Sequence, residues 1–379
     1  MNETFGKSTS SVFDKTPAKL DAVMREEMPE EWQTLQQALL NVLQHRRFVS
    51  GPEVEQLEHV LANWLGTRYA IGCNSGFGAN LLSLFALQLR PGAKVAVSAF
   101  APHDDAGLLL RQNLVPVLID TAPDDVHLDP HALAQQPASA FDAVFVHHLF
   151  GGAANMKALL QIAGARPVIE VLTYSFGARC ADSYAGSLGT LATCCLREET
   201  TLGAYGDAGM LWTNREDLYH KIMRLRNQTA GNGGYDGTPS GCFLQDTIHA
   251  AVLLSKFKSW RRPREKRREQ AAGFAQKIAA RNVPALTVPP FHRAHSTHFV
   301  IFAEQRDALA SHLKQRGFAV EAWWPKPIHL QSGFKKLGYA RGDFPNAEHL
   351  ASHSLELVLP DQEEEQEALV DCLSEFFSR

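Results

Sequence analysis

The segment YAIGCNSGFGANLLSLFALQL, residues 69–89, contains the features that decide the fold class. It begins with a short apolar run, continues through a turn of asparagine, serine and glycine, and ends in a longer apolar run. A short apolar run before such a turn is typical of a buried strand, and the longer run predicts a helix behind it. The segment therefore predicts one strand–helix unit.

Similar apolar segments alternate with helical ones as far as residue 214. The strand candidates are KVAVSAF, VPVLID, DAVFVHHLF, PVIEVL and MLWTN, and the helix candidates between them include DDAGLLLRQN and DPHALAQQ. Short strands that are almost entirely apolar and separated by helices predict a mostly parallel sheet with both faces covered. The predicted fold class is therefore α/β, with a large domain of three layers.

The two ends of the chain differ from this middle region. Residues 1–28 are polar and have no sustained period, which predicts a loosely held N-terminal arm. Residues 29–255 form the predicted large domain, whose first strong helix lies between Pro52 and Gly66. The later segments HFVIF, RDALASHLKQRG, AVEAWW, LELVLP and EEEQEALVDCLSEFF predict a smaller C-terminal α+β domain over residues 256–379.

Composition places the chain among ordinary globular proteins and argues against two classes of partner. Of its 379 residues, 45% are hydrophobic and 21% are charged, and the net charge is -4 at pH 7. That balance argues against general binding of nucleic acid or of a membrane surface. No apolar run reaches membrane-spanning length, the N-terminus lacks a signal-peptide core, and the six cysteines form no paired CxxC spacing. We therefore expect a cytoplasmic protein with reduced thiols.

Several separate segments resemble the landmarks of one known family. They are FVSGPEVEQLE, VHHLFGGAANM, LGAYGDAGMLWTN with RLRNQ, and PKPIHLQSGFKKLGYARGDFPNAEHL, and they occur in the family's order from about residue 45. The chain resembles the DegT/DnrJ/EryC1/StrS sugar aminotransferases, which use pyridoxal phosphate (PLP) and act on nucleotide-linked keto-sugars. The resemblance implies a large domain of the aspartate-aminotransferase type, a homodimer with its sites at the subunit interface, and a nucleotide sugar or similar anionic metabolite as ligand.

The two positions that carry the family's cofactor chemistry are altered. The Schiff-base lysine, just before LGAYGD, is replaced by Thr200, and a hydroxyl group cannot form an imine. The aspartate that keeps the pyridine nitrogen protonated, in the segment VIEVLTYSFGA, is replaced by Val171. Because of these changes, the resemblance implies a dismantled PLP site. We expect no cofactor, and no covalent binding of PLP.

The other positions that match the family's coenzyme site are partly kept and partly replaced. Ser75 and Gly76 keep the phosphate-binding turn, whereas Phe77 replaces its threonine. Pro102 replaces the aromatic residue that stacks on the ring, and Tyr174 replaces a glutamine. The cavity positions that match the family's coenzyme site are Ser75, Gly76, Phe77, Pro102, His148, Val171, Tyr174, Cys195 and Thr200.

Four polar residues are candidates for a new site near the old one. His103 and Asp104, which form the run HDD together with Asp105, are either an acid–base or metal cluster, or simply polar residues favoured at a helix N-terminus. Glu170 ends a strand and His329 lies in a retained C-terminal landmark, so both are candidate polar groups of the cavity. No metal site is predicted. Cys195, at the place of a phosphate-contacting serine, is either a nucleophile or a buried, inert thiol.

These residues leave three functions open. The first is a PLP-independent enzyme that performs isomerisation, dehydration or acyl transfer on a nucleotide sugar. The second is a pseudoenzyme, either a ligand-binding protein or a non-catalytic partner subunit of an active aminotransferase. The third is a PLP-dependent nucleotide-sugar aminotransferase, which Thr200 and Val171 contradict. In each case, a role in amino-sugar or glycan biosynthesis is implied by the resemblance alone.

Overall fold

The described part of the chain comprises residues 29–198, 200, 202–227, 241–281, 283 and 298–378 of a computed structural model. The predicted arm, residues 1–28, lies outside these described residues. Among the helices within them, none is both long enough and apolar enough to cross a membrane.

The helices begin and end close to the positions that the sequence predicts. Helix α2 has Pro52 in its first turn, and Gly66, the residue that caps its C-terminal end, has a left-handed φ of 80°. The described α-helices are α1 Pro29–His45, α2 Pro52–Leu65, α3 Gly76–Leu87, α4 His103–Arg111, α5 Pro130–Ala134, α6 Met156–Ala163, α7 Glu216–Asn227, α8 Thr247–Ser259, α9 Arg261–Ala280, α10 Arg306–Gln315, α11 Pro345–His353 and α12 Glu363–Phe377. Two 3-10 helices span Ile328–Leu330 and Ser332–Leu337.

The strands of the described chain form three sheets. They are β1 Tyr69–Cys73, β2 Lys94–Ser98, β3 Val115–Ile119, β4 Ala143–His147, β5 Val168–Val171, β6 Arg179–Cys180, β7 Ser183–Tyr184, β8 Leu191–Cys195, β9 Gly209–Thr213, β10 His298–Phe302, β11 Val320–Glu321 and β12 Ser354–Val358. The large sheet has the order β1-β9-β8-β5-β4-β2-β3, and β9 runs antiparallel to both of its neighbours. The remaining pairs are parallel, as the apolar strands predicted.

Alternate residues of the large sheet pack into layers on its two faces. On one face, Phe145, Ile169 and Val171 belong to a buried cluster that also contains side chains of α3 and α4. On the other face, Val144 and Val168 pack with side chains of α5 and α6. Side chains two residues apart on a strand share a face. His147, at the end of β4, therefore lies on the same face as Phe145 and Val171.

The smaller α+β domain packs α9, α10 and α12 around a second sheet. That sheet has the order β10-β12-β11, and its core includes Phe274, Leu309 and Leu373. Asp120, just after β3, joins this part of the chain to the large sheet. Its carboxylate accepts hydrogen bonds from the backbone N–H groups of Asn346 and Ala347, at 3.1 and 2.8 Å, in the first turn of α11.

Two segments differ from the sequence prediction. The strand β8, LATCC, has no aromatic residue and only one β-branched residue, so nothing local marked it as a strand. It is nevertheless buried between β5 and β9. The predicted strand AVEAWW is paired only at Val320 and Glu321, and the chain then turns so that Trp323 and Trp324 contact the large domain.

Candidate functional site

The candidate site lies at the carboxyl ends of the parallel strands of the large sheet. Ser75 follows β1, Pro102 follows β2, His148 follows β4, and Val171 and Cys195 end β5 and β8. Ligands of open α/β sheets bind at this edge. The sheet therefore brings together residues that are up to about 120 positions apart in the chain.

Ser75 and Gly76 build a helix start that suits a phosphate group. The Ser75 Oγ accepts a hydrogen bond from the Gly78 backbone N–H at 2.9 Å and so caps α3. A Cβ added at Gly76 would collide with Cys195, so glycine permits α3 to approach β8 this closely. The unpaired amides at the start of a helix attract anions. Phe77 lies in the same turn with its side chain 46% exposed.

Thr200 lies in the loop that follows β8. Its Oγ1 donates a hydrogen bond to the Arg197 carbonyl oxygen at 2.7 Å. A lysine that the sequence did not indicate reaches the same loop from α8, because Lys256 Nζ donates to the Gly203 carbonyl oxygen at 2.6 Å. Burial lowers the pKa of the Lys256 amine, against the opposing charge of Glu198. The amine that reaches this loop therefore belongs to Lys256 of α8 and not to the residue at position 200.

Val171 has apolar surroundings and lies in a row with two polar side chains. It is 3% exposed and pairs with His147 of β4 and Thr193 of β8. The Thr193 Oγ1 is buried and has no hydrogen-bond partner among the described residues. A valine offers neither a charge nor a hydrogen bond to a pyridine nitrogen.

Beside this row, Asp105 forms buried contacts with two side chains that the sequence did not connect with it. Its carboxylate lies 2.8 Å from His147 Nε2 and accepts a hydrogen bond from Asn80 Nδ2 at 2.6 Å. The three side chains come from α4, β4 and α3, and each is at least nine-tenths buried. Hydrogen bonds between distant elements leave no local sequence signal.

His148 and Glu170, one of the candidate polar groups of the cavity, form a second buried pair. His148 Nε2 lies 3.0 Å from Glu170 Oε2. The same carboxylate accepts hydrogen bonds from the backbone N–H groups of Gly186, Leu188 and Gly189. Four donors occupy the carboxylate, which is 0% exposed, so Glu170 holds the backbone rather than exchanging protons.

His329 lies close to the junction with the smaller domain. Its Nε2 is 3.0 Å from Glu348 Oε1, and the Gly342 backbone N–H donates to the same oxygen. Burial opposes the charge of Glu348, but the hydrogen bonds from Gly342 and His329 lower the pKa of this carboxyl. His329 is therefore held in a fixed orientation, with its Nδ1 buried and unpartnered among the described residues.

An aromatic wall covers one side of the site, and it includes tryptophans that the sequence analysis did not name as site residues. The Tyr174 ring contacts Trp323 and Trp324 at centroid distances of 4.4 and 5.5 Å. Trp324 also contacts Phe100 at 5.3 Å and Phe150 at 6.3 Å. Burial, and then the charges of Asp105 and Cys195, raise the pKa of the Tyr174 hydroxyl. The Tyr174 ring thus lies beside the sheet edge, packed against the two tryptophans.

His103 and Asp104 do not join this buried polar group. They pair with each other at 3.2 Å in the first turn of α4, with side chains 54% and 76% exposed. The structure thus supports the helix-terminus interpretation of these two residues, and the buried acid of HDD is Asp105. Within the described residues, no group of three or more His, Cys, Asp or Glu side chains could hold a metal ion.

The thiols near the site have a chemistry that is typical of buried cysteines. Burial raises the pKa of both Cys194 and Cys195. Cys195 Sγ lies 4.0 Å from Asp207 Oδ1, which also raises its pKa. A raised pKa decreases the fraction of reactive thiolate. The geometry therefore favours inert thiols over a nucleophile.

The residues present fit only one end of a PLP molecule. Ser75 and the start of α3 suit its phosphate group. Position 200 offers a hydroxyl instead of an amine, and position 171 offers a methyl-bearing side chain instead of a carboxylate. These residues do not fit a Schiff base at position 200 or a protonated pyridine ring at position 171.

Proteins of known name match nearly the whole chain. A "pleiotropic regulatory protein" of Geobacillus stearothermophilus is 32% identical over 93% of this chain and 97% of its own length. A dTDP-3-amino-3,4,6-trideoxy-alpha-D-glucose transaminase of Streptomyces venezuelae is 28% identical over 90% of this chain and 92% of its own length.

Solved structures correct the expectation that this chain has no cofactor. DesV of S. venezuelae, solved with a ketimine intermediate, has a TM-score of 0.85 and 26% identity, with 94% of this chain and 97% of that chain covered. NtdA of Bacillus subtilis, solved with bound cofactor PMP, has a TM-score of 0.84 and 23% identity, with 94% and 84% covered. The expectation that this chain has no cofactor is therefore wrong, because structures of the same fold were solved with a ketimine intermediate or with PMP.

The fold and the order of the landmarks agree with the family comparison. The family model of the DegT/DnrJ/EryC1/StrS aminotransferases matches residues 29–374. The parallel sheet, the capped start of α3 and the smaller C-terminal α+β domain are those that the sequence resemblance implied. The chain belongs to the DegT/DnrJ/EryC1/StrS aminotransferase family.

Proposed function

We propose that this protein binds a nucleotide-linked sugar at the carboxyl edge of its large sheet and acts in amino-sugar or glycan biosynthesis in the cytoplasm. In this proposal its chemistry does not use a Schiff-base lysine at position 200. The observation that carries the proposal is the contrast between the retained phosphate-type helix start at Ser75 and the absent amine at Thr200.

The relatives and the residues support a nucleotide sugar as the ligand class. The S. venezuelae relative is named for a transaminase of a dTDP-linked sugar, and it matches 90% of this chain. A diphosphate suits the free amides at the start of α3. The wall of Tyr174, Trp323 and Trp324 offers aromatic faces, against which the apolar face of a sugar ring packs well.

Calorimetry with dTDP- and UDP-linked sugars tests this proposal. We expect micromolar binding that Ser75→Ala weakens by about tenfold, since a hydrogen bond to a charged group contributes about 1.5–3 kcal/mol. Asn155→Ala is the matched control, because Asn155 caps α6 through the Ala158 backbone N–H. This variant removes a helix N-cap of the same kind as Ser75, at a helix that is not part of the candidate site. Absence of binding by the wild-type protein, or equal weakening in both variants, would contradict the proposal.

A PLP-dependent aminotransferase is the second candidate, and the similarity to the S. venezuelae transaminase favours it. Transfer of an amino group from glutamate to a keto-sugar by the wild-type protein, with PLP added, would make this candidate the better one. A non-catalytic subunit that pairs with an active aminotransferase is the third. It would bind nucleotide sugar only in the presence of the second chain.

We also propose a homodimer. The end of α1 and the residues after it expose Leu40, Leu43, Phe48 and Val49, each more than 40% exposed. Exposed apolar side chains that are close together are typical of an interface. Light scattering should give the mass of two chains, and Leu43→Glu should shift it toward one. A stable monomer at micromolar concentration would contradict this proposal.

A further inference from the structure

Two neighbouring histidines at the end of β4 differ in how their ring nitrogens are used. His148 Nε2 contacts Glu170, and His148 Nδ1 accepts a hydrogen bond from the Ala154 backbone N–H at 3.0 Å. Both nitrogens of His148 are therefore occupied. His147 Nε2 contacts Asp105, whereas His147 Nδ1 is buried and has no partner among the described residues. Of these two histidines, His147 is the one with a ring nitrogen that has no partner among the described residues.

Asp105 determines which nitrogen of His147 is free. An ionised carboxylate only accepts hydrogen bonds, so the Nε2 that faces it carries the proton. The neutral imidazole then has a lone pair at Nδ1. Asn80 donates to the other oxygen of Asp105 at 2.6 Å and fixes the carboxylate in place. A carboxylate that orients an imidazole in this way is the arrangement of a general base and its orienting group.

His147 lies at the carboxyl end of β4, the edge of the sheet at which the candidate site residues gather. His147 is the last residue of β4 and pairs with Val171, the last residue of β5. Val171 pairs with Thr193 of β8, so the three side chains form one row on one face. Its neighbours Phe145, Ile169 and Leu191 are buried and apolar.

A polar group inside such a core needs an explanation. Burying an acid–imidazole pair carries a desolvation cost that well-packed apolar residues avoid. The Asp105 pair also leaves one buried nitrogen unsatisfied, unlike the Glu170 pair, in which both nitrogens of His148 bond. A solely structural role accounts for the second pair and not for the first.

We propose that His147, oriented by Asp105, is an acid–base residue of this site. Its Nδ1 removes a proton from the carbon next to the carbonyl of a bound keto-sugar, the C–H bond breaks, and the electron pair moves to give the enolate. The protonated imidazole then returns a proton to the same carbon, which gives exchange. If the hydroxyl proton on that carbon first moves to the former carbonyl oxygen, the imidazole returns its proton to the former carbonyl carbon instead, which gives the isomeric ketone with no oxidant or reductant. This inference rests on the proposed function, because it takes a nucleotide-linked keto-sugar as the ligand.

Hydrogen exchange in D2O tests the inference without knowledge of the final product. The probe is a dTDP-linked 3-keto-6-deoxyglucose, and the loss of the proton signals next to its carbonyl is followed by NMR. We expect His147→Gln to slow the exchange by about 100-fold, the lower end of the range for general acid–base catalysis. Binding of the probe, measured by calorimetry, should change by less than about threefold, because the hydrogen bonds to the nucleotide remain.

Two further variants complete the experiment. Asp105→Asn keeps the size of the side chain but can donate to Nε2, which moves the imidazole proton to Nδ1. We expect it to slow exchange by about tenfold or more with binding retained, and it carries the test if His147→Gln does not fold. His131→Gln, an exposed histidine on α5, is the control and should leave the exchange rate unchanged.

The outcomes separate this inference from the proposed function. Exchange that depends on His147 and Asp105, with binding unchanged, supports it. Binding by the wild-type protein without exchange, or exchange that is equally fast in His147→Gln, overturns the inference and leaves the proposed function standing. No binding of any nucleotide sugar overturns the proposed function, and the inference with it.

Discussion

Glu170 and Thr200 both lie near the carboxyl edge of the large sheet, but their surroundings differ. Glu170 is fully buried and accepts hydrogen bonds from His148 and from three backbone N–H groups. Thr200 is half-buried and contacts carbonyl oxygens of its own loop. We call Glu170, His148 and Asp120 the framework side of the site, and Phe77, Pro102, Val171, Tyr174 and Thr200 its altered side.

The difference indicates which residues near the site the fold depends on for its stability. A framework residue satisfies several backbone groups at once, so its replacement leaves all of them buried and unpaired. Thr200, on the altered side, is half-buried and bonds to carbonyl oxygens of its own loop, so its replacement should cost little stability. Residues needed only for a reaction are therefore free to change while the scaffold persists.

The largest effect is expected from Glu170→Ala on the framework side. This change leaves the His148 imidazole and the N–H groups of Gly186, Leu188 and Gly189 without their acceptor. Breaking a buried charged pair costs about 3–5 kcal/mol in the free energy of unfolding. Urea denaturation of the purified variant measures it, and failure to accumulate as folded protein agrees with the same expectation.

Glu216→Ala is the control for that prediction. Glu216 is 60% exposed and pairs with Arg68 at 3.5 Å, so its loss should cost less than about 1 kcal/mol. Similar losses for the two glutamates would remove the distinction between the framework side and an ordinary surface.

The second prediction concerns repair of the altered side. Thr200→Lys supplies an amine but leaves Val171 without a carboxylate for the pyridine nitrogen. Adding Val171→Asp to Thr200→Lys should strengthen PLP binding by about tenfold or more, because a hydrogen bond to a charged group contributes about 1.5–3 kcal/mol. Titration followed by the imine absorbance compares the two variants.

Borohydride reduction and peptide mapping provide the control for this repair. They separate an imine at position 200 from one on Lys256, which reaches the same loop. Equal affinity of the single and the double variant would mean that Val171 does not occupy the carboxylate position.

The sequence predicted those parts of the molecule that depend on neighbouring residues. Pro52 and Gly66 mark the ends of α2, and the apolar runs marked β1 to β5. The contact of Asp105 with His147 joins residues 42 positions apart, and that of Tyr174 with Trp323 joins the two domains. Such contacts depend on the packing of whole elements, so residue spacing carries no sign of them.

The third prediction concerns thiols. Cys242 is exposed, whereas burial raises the pKa of Cys194 and Cys195. When the pH of the solution is below the pKa of a thiol, each further unit of pKa lowers the fraction of thiolate about tenfold. Iodoacetamide at pH 8 should therefore modify Cys242 first, and it should modify Cys194 and Cys195 at least about tenfold more slowly. A higher pH should increase the rate at which Cys194 and Cys195 are modified. Mass spectrometry of the labelled peptides measures the order, and early labelling of Cys195 would point to an activated thiol on the altered side.

The smallest effect is expected from Phe77→Thr, which restores the family's hydroxyl on the altered side. The Phe77 ring is 46% exposed in the first turn of α3, so little buried area is lost. Threonine and phenylalanine also have similar helix propensities, so the free energy of unfolding should change by less than about 0.5 kcal/mol. Phe145→Ala gives the contrast, because the Phe145 ring is 0% exposed in the core between the sheet and α3. Its removal should lower the free energy of unfolding by about 3–5 kcal/mol. Urea denaturation of both variants measures the difference. A large loss in Phe77→Thr would mean that Phe77 supports the fold, and the altered side would then have to be redrawn without it.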